Sequence, residues 1–244
     1  MGLSEHELNR YKRQMMMDGW GEENQQKLKN STVFVAGAGG LGSPVSIYLA
    51  VAGVGRLRIC DFDSPDWSNL NRQILHDHTR IGMNKAQSAK VTLNKINPDV
   101  EIIAFTDTIN SDNVDNLVGD SAIIVDCMDN FKTRYVLNEC AIRKNIPLVY
   151  GSIWGMDGRL SFIHYPETPC LMCLFPDPPP QEIFPVIGTT PGVIGSLQAL
   201  ETIKYLTGLG KPIKGKLLVW DGSICEFKTF KTHKDPHCFT CGGL

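Results

Sequence analysis

The sequence predicts an α/β protein built on a largely parallel sheet with helices on both faces, extended on one side by antiparallel strands. Three observations carry that expectation. From residue 32 to about residue 147, short runs of branched apolar residues alternate with longer amphipathic stretches, as in sheets whose buried strands are joined by crossover helices. A glycine-rich segment, Gly37-Ala-Gly-Gly-Leu-Gly42, falls at the first strand-to-helix junction. Beyond residue 147 the strand-like runs are joined by connections of uneven length, which suits antiparallel pairing for some of them.

In chain order, the first thirty residues are polar, with Leu8, Tyr11 and Met15 at helical spacing, and one or two helices are expected there. Val33 to Ala36, Leu57 to Cys60, Ile102 to Phe105 and Ala122 to Asp126 read as buried strands, with helices at Gly42 to Gly53, Asn84 to Asn97 and Phe131 to Lys144. Pro44 falls in the opening turn of its helix, where a missing N–H costs little. Pro147 to Gly151, Arg159 to His164, Lys216 to Trp220 and Ile224 to Phe230 read as the later strands. Between them, Pro176 to Pro191 includes Pro178-Pro179-Pro180 and is expected to be an exposed, mobile loop, followed by a helix from Gly192 to Gly208. One domain is the economical organisation.

Composition narrows the function classes. A formal net charge of -2 gives no reason to expect nucleic acid as the main partner, since tracking phosphates needs a basic excess. The longest apolar run, Gly192 to Gly208, is broken by Gln198, Glu201 and Lys204, so no membrane span is expected. The polar N-terminus is unlike a secretory signal. A cytoplasmic location follows as the expectation, with the eight cysteines reduced and serving as metal ligands, core residues or reactive thiols.

The glycine segment lets backbone N–H groups approach a phosphate at a helix N-terminus, and Asp61 ends the next strand, where a ribose-binding acid belongs. This is a Rossmann-like arrangement, with residues 31–150 as a nucleotide-binding half. A nicotinamide dehydrogenase would share these features. However, Asn69-Leu-Asn-Arg72-Gln73 and Lys85 place cations and amides just past the Asp61-Phe-Asp63 strand end. A hydride-transfer site does not need them, whereas cleavage of a triphosphate does. Asp129 and Asn130 follow another strand end, and a hard carboxylate there suits Mg²⁺.

Two further pairs stand out, Cys170-Leu-Met-Cys173 and Cys238-Phe-Thr-Cys241. Four thiolates suit a closed, structural zinc site. Redox-active thiols are the alternative, disfavoured because neither pair opens a helix beside a βαβ unit. Cys60, Cys127, Cys140 and Cys225 sit in apolar runs and are expected in the core.

Together the glycine segment, Asp61-Phe-Asp followed by Ser-Asn-Leu-Asn-Arg-Gln, Gly82-Met-Asn-Lys85-Ala and Asp129-Asn-Phe-Lys-Thr-Arg134 resemble the ThiF/MoeB/HesA family, relatives of the ubiquitin-activating enzymes. The resemblance runs from Arg10-Tyr-Lys-Arg-Gln14 to the final cysteines. It implies ATP and Mg²⁺ bound by Gly37, Gly39, Gly40, Gly42, Asp61, Asp63, Asn69, Gln73 and Asn130, with Arg72, Lys85 and Asp129 as catalytic residues. Arg13 would reach into the partner subunit's site, which implies a homodimer. The resemblance also assigns Cys170, Cys173, Cys238 and Cys241 to structural Zn²⁺, and residues 151–244 to a carrier-binding half with a crossover loop at 174–191.

The implied reaction is adenylylation of the C-terminal Gly-Gly carboxylate of a ubiquitin-like sulfur-carrier protein. Attack on the ATP α-phosphate gives an acyl-adenylate and pyrophosphate. Several relatives carry a cysteine in the crossover loop, and this chain has none between Leu174 and Pro191. A separate sulfur donor is therefore expected. A relative acting on a peptide C-terminus or a tRNA base, and a non-catalytic nucleotide-binding scaffold, are the other readings.

Overall fold

A computed structural model describes residues 2–178 and 184–242. Three helices open the chain, α1 (Glu5–Arg10), α2 (Lys12–Met15) and α3 (Gly21–Lys29), where one or two were expected. The break falls at Tyr11, which is buried and caps both short helices. The alternating segment follows as β1 (Thr32–Ala36), α4 (Gly42–Ala52), β2 (Arg56–Cys60), α5 (Lys85–Ile96), β3 (Glu101–Phe105), α6 (Val114–Val118), β4 (Ile123–Asp126) and α7 (Phe131–Lys144). Then come β5 (Leu148–Trp154), β6 (Asp157–Ile163), α8 (Leu171–Leu174), α9 (Thr189–Thr207), β7 (Lys216–Asp221) and β8 (Glu226–Lys231).

All eight strands form one sheet in the order β3-β2-β1-β4-β5-β6-β7-β8. The first five are parallel and the last three add on antiparallel, as expected. The alternation of side chains along β1 splits the core in two. Val33 and Val35 join Leu49, Leu93 and Ile194 under α4, α5 and α9. Phe34 and Ala36 join Leu117, Leu137 and Cys140 under α6 and α7. Because β1 and β4 are buried along their whole length, their carboxyl ends are held at fixed positions. The chain leaves β1 towards β3 and returns to β4, so the strand order reverses between these two ends, the place where open α/β sheets form a ligand crevice.

Three expectations need correction. The helix after the Pro-rich stretch begins at Thr189, because Pro191 occupies its first turn, where proline is tolerated. The crossover loop therefore ends before its expected limit at residue 191, and its start is shortened by α8. The expected exposed centre around Pro179 and Pro180 lies outside the described residues. The last strand starts at Glu226, since Asp221 Oδ1 accepts from the Ser223 N–H at 3.0 Å and turns the chain before Ile224. Cys225 is accordingly exposed at the hairpin tip with φ of 56°, while Cys60, Cys127 and Cys140 are buried as expected.

Candidate active site at the switch point

Gly37 leaves β1 with φ of +97°, and a Cβ there would lie 2.8 Å from the Cys127 carbonyl oxygen. Gly42 is tighter still, since its Cβ would meet the Gly37 carbonyl oxygen at 2.0 Å. Both positions require glycine, so the turn closes against the end of β4. Among the described residues, the N–H groups of Gly39, Gly40 and Leu41 have no protein acceptor. Donors of this kind at the head of a helix suit an anion.

Asp61 sits at the end of β2, and its carboxylate accepts the Ala38 N–H at 2.8 Å and the Asp63 N–H at 2.9 Å. Burial raises the Asp61 carboxyl above its ordinary value despite these two bonds. Lys85, the first residue of α5, is buried and forms an ion pair with Asp63 at 2.6 Å. Asn84 fixes that helix start by accepting from Ala86 and Gln87 and donating to the Asp61 carbonyl oxygen at 2.7 Å. Burial pushes Asp63 up, but the Lys85 hydrogen bond and charge outweigh it and leave the carboxyl below its usual range.

Arg72 is half-buried and donates at 2.9 Å to the Ser68 carbonyl and to Asn71 Oδ1. Its Cγ lies 3.7 Å from where a Gly40 Cβ would be, so it borders the glycine turn. Gln73 is buried beside Gly39, and its Oε1 has no hydrogen-bond partner among the described residues. Asn69 instead spends its Oδ1 capping the Asp66 N–H at 3.2 Å, holding the turn that carries Arg72. Asp129 is exposed one turn beyond β4, and its one polar contact among the described residues is a long one, 3.4 Å from Asn130 Nδ2. Its oxygens are thus available to a hard cation. Asn130 also caps α7 by accepting from the Thr133 N–H at 2.9 Å.

Two residues without an assigned role from sequence hold the Asp129 turn. Asp126 Oδ1 accepts the Met128 N–H at 3.0 Å. Buried Arg134 donates to the Met128 carbonyl oxygen and, at 2.9 Å, to that of Gly151. Its guanidinium lies against the rings of Phe131 and Tyr150, 5.2 and 4.8 Å from their centroids. The sequence signal was the Asp-Asn-Phe-Lys-Thr-Arg run, which places Arg134 in the first turn of α7, but nothing local indicates what it reaches.

Arg13 does not join this site. It is exposed on α2, whose Gln14 binds the Ala52 carbonyl at the last residue of α4. The glycine turn is at the other end of that 11-residue helix, roughly 16 Å away at 1.5 Å per residue.

The four cysteines of the two hooks converge, with Sγ atoms within 4.8 Å of one another and three separations of 3.5, 3.6 and 3.8 Å. Tetrahedral zinc with bonds of about 2.3 Å sets sulfurs roughly 3.8 Å apart, so the cluster fits Zn²⁺. It joins α8, at the root of the crossover, to the chain after β8.

Comparison with known proteins agrees with this geometry. The ThiF family matches residues 11–240. The chain belongs to the ThiF family. Among curated relatives, the adenylyltransferase and sulfurtransferase MOCS3 of Drosophila sechellia is 42% identical over 246 residues, which cover 98% of this chain and 54% of the relative. The protein of the same name from Drosophila ananassae is also 42% identical over the same shares. This ThiF-family chain therefore spans about half the length of the curated relatives it matches. Among solved structures, E. coli MccB with ATP superposes with a TM-score of 0.86 at 24% identity, covering 98% of this chain and 76% of that one. E. coli MccB with MccA gives 0.87 at 23%, covering 98% and 75%. Among the described residues, no helix is long and apolar enough to cross a membrane.

Proposed function

We propose that this ThiF-family chain uses ATP to adenylylate the C-terminal Gly-Gly carboxylate of a ubiquitin-like sulfur-carrier protein. The observation that carries the reading is the meeting of free loop N–H groups, Arg72, Lys85 and the open Asp129 carboxylate at one switch point. The relatives named adenylyltransferase and sulfurtransferase support the sulfur-carrier assignment.

The chemistry follows from charge. A carboxylate must attack a polyanion, so the site has to neutralise and align two groups that repel each other. Asp61 holds the ribose. The glycine turn and Arg72 hold the phosphates. Lys85, buried at a helix start, leaves Asp63 to stabilise the charge that grows on the departing pyrophosphate. Mg²⁺ at Asp129 and Asn130 supplies further counter-charge when bound. No general base is required, because the attacking carboxylate is already ionised. Arg13 is too far from its own site to take part, which supports its acting across a homodimer. The carrier body docks on the half of the chain that follows residue 150, and the sulfur donor is a separate protein or domain, since the crossover carries no thiol.

ATP–pyrophosphate exchange with a panel of ubiquitin-like carriers ending in Gly-Gly tests this, with Asp129→Ala as control. Exchange that depends on carrier and Mg²⁺ and is lost in the variant is expected. Exchange stimulated by a free peptide but by no carrier would replace the carrier with a peptide substrate.

A further inference from the structure

The glycine turn is held in place by a side chain from outside its own motif. His76 is buried between the segment that carries Arg72 and the start of α5. Its Nε2 lies 2.8 Å from the Ala38 carbonyl oxygen and its Nδ1 lies 2.9 Å from Ser88 Oγ. A carbonyl can only accept, so Nε2 carries the proton, and in the neutral ring Nδ1 must then accept from the Ser88 hydroxyl. Burial, with the nearby Lys85 and Arg80 charges, moves the imidazole below its ordinary value, which favours the neutral ring.

The consequence lies in the peptide plane. The Ala38 carbonyl and the Gly39 N–H belong to one planar trans peptide, so they point in opposite directions. Fixing the carbonyl on His76 turns the Gly39 N–H away from His76, and among the described residues that N–H has no protein acceptor. The preceding plane is fixed in the same manner, because Asp61 takes the Ala38 N–H. Ala38 is thus gripped at both its N–H and its C=O by residues from two other segments, between two glycines that would otherwise let the loop rotate.

We propose that His76, oriented by Ser88, is a positioning residue that aims the Gly39 N–H at the nucleotide phosphates and so sets affinity for the polyphosphate but not for the nucleoside. This rests on the reading of the turn as an ATP site. It also gives the segment between β2 and α5 two tasks, supplying Arg72 and bracing the turn that Arg72 borders.

The test is binding of ATP by calorimetry and of adenosine by ligand-observed NMR, on wild type, His76→Leu, His76→Gln and Ser88→Ala. His76→Leu should weaken ATP binding roughly tenfold, the worth of one well-placed hydrogen bond to a charged group, and leave adenosine binding unchanged. His76→Gln, whose amide N–H can reach the Ala38 carbonyl, should recover most of that loss, and Ser88→Ala should give a smaller loss of the same kind. Equal falls in ATP and adenosine binding, or no fall in a folded His76→Leu protein, would overturn the assignment. Failure of wild type to bind ATP at all would instead overturn the functional reading on which it rests.

Discussion

The middle of the sheet and its β8 edge are held together by different means. In the middle, β1 and β4 are buried along their length and fix the site through backbone geometry and buried polar contacts. At the edge β8 is exposed at every position, and the chain beyond it is tied back by four thiols at the root of the crossover. The first arrangement gives rigid donors at fixed angles, as phosphate chemistry needs. The second pairs an exposed edge strand with β7 and ties the chain that follows it at the cysteine cluster, which suits a surface that receives a large partner. Perturbing one of these regions should therefore spare the other.

The largest effect is expected from Lys85→Ala, which should lower exchange by about 10²–10³-fold, as for loss of a single transition-state donor, with zinc content unchanged. Arg13→Ala should lower exchange to a similar extent. Mixing it with Lys85→Ala subunits should restore activity, because a mixed dimer has one site with Lys85 on one subunit and Arg13 from the other. Mixed dimers that stay inactive would refute the cross-subunit role.

Next comes Gly42→Ala, which drives a Cβ into the Gly37 carbonyl. It should destabilise the fold by about 3 kcal/mol in chemical denaturation, and unfolding should start from the nucleotide half. A stable Gly42→Ala protein would mean the turn is softer than its contacts indicate.

Much of the site was legible in the sequence because it depends on residue types that geometry demands. Only glycine fits at Gly37 and Gly42, and only closely spaced cysteines make the hooks at Cys170 and Cys238. What was hidden depends on contacts between distant segments. His76 reads as one more polar residue in a loop until the fold brings it to Ala38, and Asp126 and Arg134 read as a strand end and a helix charge until they close on Met128. Local chemistry also misled. Ile224 and Cys225 resemble strand residues, yet the Asp-Gly-Ser turn before them decided the chain path. Pro191 looked like a breaker and instead sits in the first turn of α9.

A smaller and opposite effect belongs to the second region. Cys173→Ser should lose zinc and speed amide exchange in β7, β8 and α8, while ATP binding stays close to wild type. Loss of ATP binding together with zinc would show that the two regions are coupled and not independent.

The smallest effect concerns Asp126, whose carboxyl is raised by burial to about 6 against the attraction of Arg134. A group with a raised folded pKa binds more protons in the native state, so its contribution is fully present below about pH 4 and is lost as pH rises through about 6. The stability difference between wild type and Asp126→Asn should therefore shift in favour of Asn over that window and stay level above it. A constant difference would mean that Asp126 remains ionised throughout.

The most direct test of the central claim is the intact mass of a Gly-Gly carrier after incubation with this chain and Mg²⁺-ATP. A carrier heavier by one AMP on its C-terminal carboxylate is expected, with pyrophosphate released, and no such species with Lys85→Ala. A carrier of unchanged mass, beside ATP converted to ADP and phosphate, would contradict it.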